Sequence, residues 1–382
     1  MSINVLHVFK LYLPDLHGGI QEVIRQLCHV TSTRYGVANR VLTVAQGPGA
    51  REIQLPDSLV VRCKMTLDVA STPISLDMLG EFRRQLRWAD IVHYHFPWPF
   101  GECLHLLYGR KTKSLVSYHS DIYKQRLLKI LYRPIMHAFL NRVDLIVASS
   151  RDYLESSADL APHRPRCHVV PYGLDEESYV RPSPATLARW QEKVGRDFIL
   201  FIGIMRYYKG LHVLLSAAQD ARFRVVIAGT GPLEEELRDK AARLGLRNVL
   251  FAGYVDDEDK AALFSLARAL VLPSLYRSEA FGVSLLEGAM YGLPLVTTEL
   301  GTGTTFINQD GVTGLVVPPG DAVALRGAMD RLHADSELCA AMGAAARKRF
   351  ETLFTAERMG EEYFRLYQKL AESPAGLRVH AR

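Results

Sequence analysis

The sequence predicts an α/β protein of two doubly wound domains, each a parallel sheet covered by helices on both faces. Two observations carry this expectation, together with the length. At 382 residues the chain exceeds the ~100–200 of one ordinary domain. Short β-rich apolar runs alternate with helical patterns, as in strand–helix–strand units with buried strands. A Pro-rich stretch then interrupts the rhythm, which restarts after it. The expected boundaries are residues 1–172, a linker at 173–197, and a second domain at 198–354. Domains of this kind take ligands at the carboxyl ends of their strands, so both are expected to face a shared cleft.

Along the first domain, strands are expected at Ile3–Phe9, Arg40–Val44, Leu59–Arg62, Asp90–Tyr94, Ser114–Tyr118 and Asp144–Ala148. A loop carrying Gly18-Gly19 precedes a helix from Ile20 to about Tyr35. The segment Pro171–Gly195, with Pro182 and Pro184 and few apolar residues, has linker chemistry. In the second domain Phe198–Ile204, Phe223–Ala228, Asn248–Ala252, Ala269–Pro273 and Pro294–Thr297 read as strands. From about Asp321 the chain is expected to be helical to a frayed tail beginning at Ser373.

Composition narrows the function classes. Hydrophobic residues at 48% and charged residues at 23% exclude wholesale disorder. No apolar run approaches the ~20 residues of a membrane span, and the first twenty residues lack a signal-peptide layout. The five cysteines show no CxxC spacing, which points to a reducing compartment rather than a disulfide or zinc framework. The basic excess and ten of the thirteen histidines fall in the first half. No recognition helix or aromatic nucleotide-stacking pattern accompanies that basic half, so nucleic acid is not an expected partner.

The strongest chemical signal is Glu279-Ala280-Phe281-Gly282-Val283-Ser284-Leu285-Leu286-Glu287. A helix is expected to begin near Phe281–Val283, where free N–H groups and the helix dipole favour a phosphate. Gly282 allows close approach, Glu279 can accept from sugar hydroxyls, and Glu287 from a ribose diol. Arg206 and Lys209 follow the first strand of this half and suit a diphosphate. Gly229-Thr230-Gly231-Pro232 is another strand-to-helix turn. With Glu234 in place of a third small residue it does not complete a dinucleotide fingerprint, which weakens an oxidoreductase reading. Gly253-Tyr254-Val255 ends a further strand and suits contacts to a nucleobase.

Taken together, these motifs resemble the donor-binding domain of the retaining GT-B glycosyltransferases of family 4. The resemblance extends over nearly the whole chain through the Gly18-Gly19 pair and Tyr118-His119-Ser120-Asp121. It implies two Rossmann-like domains, with a final helix at 355–372 packing back on the first. It also implies that Arg206 and Lys209 neutralise the leaving diphosphate, Glu279 holds the donor sugar and Glu287 the ribose. Gly18 and Gly19 would approach phosphate or acceptor, and His119 would hydrogen-bond the donor sugar near its anomeric carbon. The implied route is a front-face displacement in which the departing phosphate deprotonates the acceptor. These motifs contain no Asp-x-Asp to carry a metal, so no cofactor and neither Mg²⁺ nor Mn²⁺ is expected.

Gly301-Thr302-Gly303-Thr304 departs from the common family pattern, with Phe306 at an acidic position. The variant resembles mannosyl- and rhamnosyltransferases of bacterial O-antigen assembly, implying a GDP-sugar. A UDP-sugar donor is the alternative, and a non-catalytic nucleotide-sugar or polyanion-binding module is the alternative of another class. Glu279 weighs against that last reading, because a polyanion site has no use for a carboxylate.

Between Arg110 and Arg142 stand eight basic residues and one acid, Asp121. Residues 122–143 read as a helix with Leu127, Leu128, Leu131, Ile135 and Phe139 on one side and Lys124, Lys129 and Arg133 beside it. Such a helix either attaches to anionic lipid or packs on the core with a solvated basic face. The first reading suits a lipid-linked saccharide acceptor and a cytoplasmic enzyme, peripheral on the inner membrane face. His93 and His95 share one side of a strand, a spacing open to metal, but no third ligand is adjacent in sequence.

Overall fold

The computed structural model describes residues 3–69, 72–122 and 126–373, with side chains left out at 126–131. The chain forms two compact units. The first runs to Gly173 and takes in the last helix, Ala356–Glu372; the second is Leu174–Thr355.

The first unit is built on an eight-stranded sheet. Its order is Cys167–Val169, Leu145–Ala148, Lys113–Tyr118, Ile91–Phe96, Asn4–Val8, Ala38–Ala45, Ser58–Lys64 and Glu52–Leu55. All neighbours pair in parallel except Glu52–Leu55, which runs antiparallel to Ser58–Lys64. That edge strand, Cys167–Val169 and the short pair Leu67–Val69 with Thr72–Ile74 were not expected. All four are short, and their apolar residues are too few to give a period. The helix Gly19–Tyr35 ends at Gly36, whose left-handed φ of 65° suits a residue without Cβ.

The second unit is a six-stranded parallel sheet. Its order is Val249–Gly253, Val225–Ala228, Phe198–Ile202, Ala267–Leu272, Leu295–Thr298 and Gly314–Val317. Numbered by sequence within the unit, this is 3-2-1-4-5-6. The order reverses between Phe198–Ile202 and Ala267–Leu272, and the crevice at their carboxyl ends is where such a sheet takes its ligand.

The expected linker is a correction. Residues 184–194 form a helix of the second unit, Pro184–Val194. Ser183 Oγ caps it by accepting from Thr186 N (3.2 Å), and Pro184 occupies the first turn, where its missing N–H costs nothing. Trp190 and Val194 are buried. Here proline starts a helix rather than breaking one.

One face of the first sheet carries an unusual core. His7 pairs in register with His93, and His95 lies two residues further along the same strand. With His119 just past the end of the next strand, they form four buried histidines. The last helix covers this face. Tyr367 OH lies 2.7 Å from His93 Nδ1, Ser117 Oγ 2.7 Å from His93 Nε2, and Tyr363 OH 2.7 Å from Ser117 Oγ. The three buried rings His7, His93 and His95 offer nitrogens within 4.8 Å of one another, so the fold supplies the third imidazole missing from the local sequence. Yet every nitrogen of those rings already has a hydrogen-bond partner. The cluster is thus a satisfied polar core.

At Gly360 an added Cβ would lie 2.2 Å from Val30 Cγ1, so the last helix meets Gly19–Tyr35 through a side chain that is not there. Gly360→Leu should cost about 1–3 kcal/mol by overpacking, read as a lower denaturation midpoint. Burial also holds His7 at about 4 and His119 at about 3, against 6.5 for a free imidazole. Below pH 6.5 the unfolded chain takes up protons that the folded one refuses, so stability is lost as pH falls towards 3–4. Glu102, pushed up to about 8 by burial, opposes this over the same window. In Glu102→Gln the midpoint should therefore fall more steeply between pH 6.5 and 5; an unchanged slope would contradict this.

Candidate active site

Two loops meet at the second unit's switch point. One is Gly203–Gly210, after the first strand; the other runs from Pro273 to Gly282, after the fourth. Their backbones are tied by Leu275 N donating to Tyr208 O (2.7 Å). At Gly210 φ is +69° and an added Cβ would lie 1.9 Å from Pro273 O, so only glycine permits this approach. Gly231 has a similar reason: its Cβ would lie 2.6 Å from Met205 N. The Gly229-Thr230-Gly231 turn thus packs on the backbone of the Gly203–Gly210 loop.

Lys209 ends a single turn, Tyr207–Lys209, and its ammonium binds Glu279 Oε2 across the two loops. The side chains are 12% and 9% exposed, so the pair is nearly dry but reachable from one side. Ser274 Oγ donates to the same oxygen at 3.2 Å. Burial alone would lower the Lys209 pKa, but the adjacent carboxylate outweighs it and the net shift is upward. Lys209 is therefore a fixed cation. Arg206 is exposed, its side chain makes no hydrogen bond or ion pair among the described residues, and it lies near enough to repel Lys209. It is a cation free to meet an anion.

Gly282, at φ 92°, precedes the helix Val283–Met290, with Phe281 buried just before it. Glu287 lies in the second turn of that helix, 7% exposed. Its Oε1 accepts from Lys260 Nζ (2.9 Å) and from Tyr179 OH (3.3 Å). Neither partner was legible in advance, since each reaches Glu287 only through the fold. Tyr254, after Gly253 with its φ of 74°, is 79% exposed and offers a bare aromatic face at the end of the third strand.

The Gly301-Thr302-Gly303-Thr304 segment buttresses this arrangement. Thr302 Oγ1 donates to Glu279 O (2.9 Å) and lies 3.1 Å from Thr304 Oγ1, and both threonines are buried. Their hydroxyls are committed within the protein. Phe306 packs edge-on against Phe354, with ring centres 5.5 Å apart. An Asp-x-Asp does occur away from the expected donor motifs, as Asp257-Glu258-Asp259. Asp257 pairs with Lys260 (3.4 Å), while Asp259 takes Trp190 Nε1 (2.7 Å) and Arg189. These carboxylates serve the first turn of a helix.

In the first unit, Gly18 precedes the helix Gly19–Tyr35 in extended backbone, with no side-chain cap, so the first-turn N–H groups stay open. His119 is 3% exposed, and both ring nitrogens are occupied, by His95 (2.9 Å) and Tyr172 OH (2.5 Å). In this state no ring nitrogen is left for a sugar. Asp121 of the same motif is an internal acceptor for Tyr118 OH (2.8 Å) and Ser157 Oγ (2.7 Å). The expected basic helix is observed as Arg126–Leu140. Lys124 lies outside the described residues, as does the side chain of Lys129; Arg133 is exposed. Phe139, on the apolar side of the expected helix, is buried against Tyr94 and His105, each 5.3 Å away. This end of the apolar side covers the sheet, as a helix on a doubly wound sheet must. Among the described residues no helix is long and apolar enough to cross a membrane.

Comparison with known proteins agrees with this geometry. Residues 17–178 match the model described as Glycosyltransferase Family 4, and residues 184–349 match Glycosyl transferases group 1. The chain is 49% identical over 354 residues to D-rhamnosyltransferase WbpZ of Pseudomonas aeruginosa, covering 93% of each chain. It is 46% identical to O-antigen chain mannosyltransferase C of Escherichia coli, over 97% of this chain and all of that one. Among solved structures, sucrose-phosphate synthase from Thermosynechococcus elongatus superposes with a TM-score of 0.81 at 20% identity, covering 97% of this chain and 99% of that one. With matches spanning nearly the whole chain, the protein belongs to the family 4 glycosyltransferases and has their GT-B fold.

Proposed function

We propose that this glycosyltransferase moves a hexose, mannose or D-rhamnose, from a GDP-sugar to a lipid-linked saccharide, with retention of anomeric configuration. The product would extend a bacterial O-antigen or related surface polysaccharide. The observation that carries the donor-site reading is the Lys209–Glu279 pair, with Arg206 beside it, at the second unit's switch point. Likeness to a D-rhamnosyltransferase and an O-antigen mannosyltransferase guides the choice of sugar.

In this reading the diphosphate lies against Arg206, Lys209 and the open N–H groups at Gly282 and Val283. Glu279 Oε1, which has no hydrogen-bond partner among the described residues, accepts from the donor sugar's hydroxyls. Glu287 exchanges part of its bonding with Lys260 and Tyr179 for the ribose diol, and Tyr254 lies beside the base. The bond from the anomeric carbon to the phosphate oxygen breaks with both electrons on the phosphate. The acceptor oxygen bonds the same face of that carbon, and its proton passes to the departing phosphate. Lysine and arginine supply the countercharge, so a divalent cation is not required. The first unit would bind the acceptor, with Gly18 and Gly19 close to it, while Lys124, Lys129 and Arg133 meet anionic lipid on the inner membrane face.

Three measurements test this. Lys209→Ala should lower turnover of GDP-mannose by roughly 100-fold or more while the protein stays folded, because it also strands a nearly buried carboxylate. Full turnover would remove Lys209 from the site. Activity should survive a chelator; its loss, restored by Mg²⁺ or Mn²⁺, would require a metal. Changing Lys124, Lys129 and Arg133 together to Glu should reduce co-sedimentation with anionic vesicles, each basic group being worth about 1 kcal/mol at such a surface. Unchanged co-sedimentation would mean that the helix only covers the sheet.

A further inference from the structure

We propose that Asn39, His7, His95 and Tyr172 are positioning residues that hold His119 in one neutral tautomer, hydrogen on Nε2, with its ring turned into the first unit. Asn39 sets the direction of the chain. Its Nδ2 donates to Cys28 O (3.1 Å) and to Thr31 Oγ1 (3.2 Å). Thr31 Oγ1 has spent its own hydrogen on Leu27 O (2.7 Å), so it can only accept from Asn39. Flipping the amide would set its oxygen against a carbonyl and a spent hydroxyl. Asn39 Oδ1 therefore faces His7 Nε2 at 3.3 Å, and that nitrogen must carry the hydrogen.

Each further step is then forced. A neutral imidazole with hydrogen on Nε2 accepts at Nδ1, so His7 Nδ1 accepts from His95 Nε2 (3.1 Å). By the same rule His95 Nδ1 accepts from His119 Nε2 (2.9 Å), and His119 Nδ1 accepts from Tyr172 OH (2.5 Å). The chain runs one way, from the Tyr172 hydroxyl to the Asn39 carbonyl. Stacking supports its alignment: the His95 and His119 rings lie 5.2 Å apart with a 7° interplanar angle. Burial keeps all three rings neutral, as the rule requires. Reversing any single link would oppose two donors or two acceptors, so the tautomers stand or fall together.

His119 immediately follows the strand Lys113–Tyr118, on the sheet's carboxyl-end side where a doubly wound fold takes its ligand. The lock fixes the ring of His119 and, with it, the Tyr118–Asp121 backbone. Only the kinetic consequence rests on the glycosyl-transfer reading.

The test is long-range ¹H–¹⁵N correlation NMR on protein labelled at histidine, with GDP release from GDP-mannose as a second readout. The wild type should show His7, His95 and His119 as neutral Nε2–H tautomers. In Tyr172→Phe, with an unchanged melt, His119 should lose its single tautomer. GDP release should fall about tenfold in kcat with KM for the donor unchanged. A wild-type His119 or His95 that is Nδ1–H, or doubly protonated at neutral pH, overturns the proposal. So does Tyr172→Phe with full turnover. If the wild type releases no GDP, the donor assignment fails while the spectrum still decides the lock. Should the variant not fold, the wild-type spectrum alone decides it.

Discussion

The crevice at the switch point of the second sheet depends on one ion pair. Lys209 and Glu279 come from loops 70 positions apart in sequence and meet where the strand order of the second sheet reverses. Taking two charges out of water is costly, and a pair of this kind is retained only where its geometry repays that cost. Here the surroundings are built to repay it. Ser274 supplies a further hydrogen bond to the carboxylate, and Thr302 holds the Glu279 backbone from behind. Gly210 lets the two loops touch without a side chain between them. The pair holds a cation and a carboxylate in fixed positions.

The first unit solves a different problem, that of a polar core. Four buried histidines, two tyrosines of the last helix and Ser117, completed by Asn39 and Tyr172, form a hydrogen-bonded network on a face that in most sheets would be aliphatic. Neutral imidazoles in a dry core have directional bonds, so they specify geometry more tightly than apolar packing does. The last helix contributes Tyr363 and Tyr367 to this network, and Gly360 brings it close to the first helix. That explains why a segment far along the chain belongs to the first unit.

Much of this was legible in the sequence where physics acts locally. Alternating apolar runs marked the parallel sheets, and the Glu279–Glu287 segment with Arg206 and Lys209 marked the two loops that meet at the switch point. What was not legible depended on contacts distant in sequence. Ser183-Pro184 starts a helix, but the same letters also read as a linker. Gly231 is a glycine because Met205 is beside it, which no local pattern records. Tyr179 and Lys260 reach Glu287 only through the fold, and His7 joins His93 and His95 only once strands pair. The partners of both His119 ring nitrogens, 24 and 53 residues away, were likewise beyond a local reading.

The central claim is that the second unit holds a nucleoside diphosphate against Arg206 and Lys209, with GDP preferred. A thermal-denaturation titration of the whole protein with GDP, UDP and ADP tests it most directly. A ligand at 100 times its dissociation constant adds roughly 2.7 kcal/mol, a shift easily read. The account predicts stabilisation by GDP, weaker effects of UDP and ADP, and loss of the GDP effect in Lys209→Ala. A preference for UDP would overturn the donor assignment, and indifference to all three nucleotides would contradict the site itself.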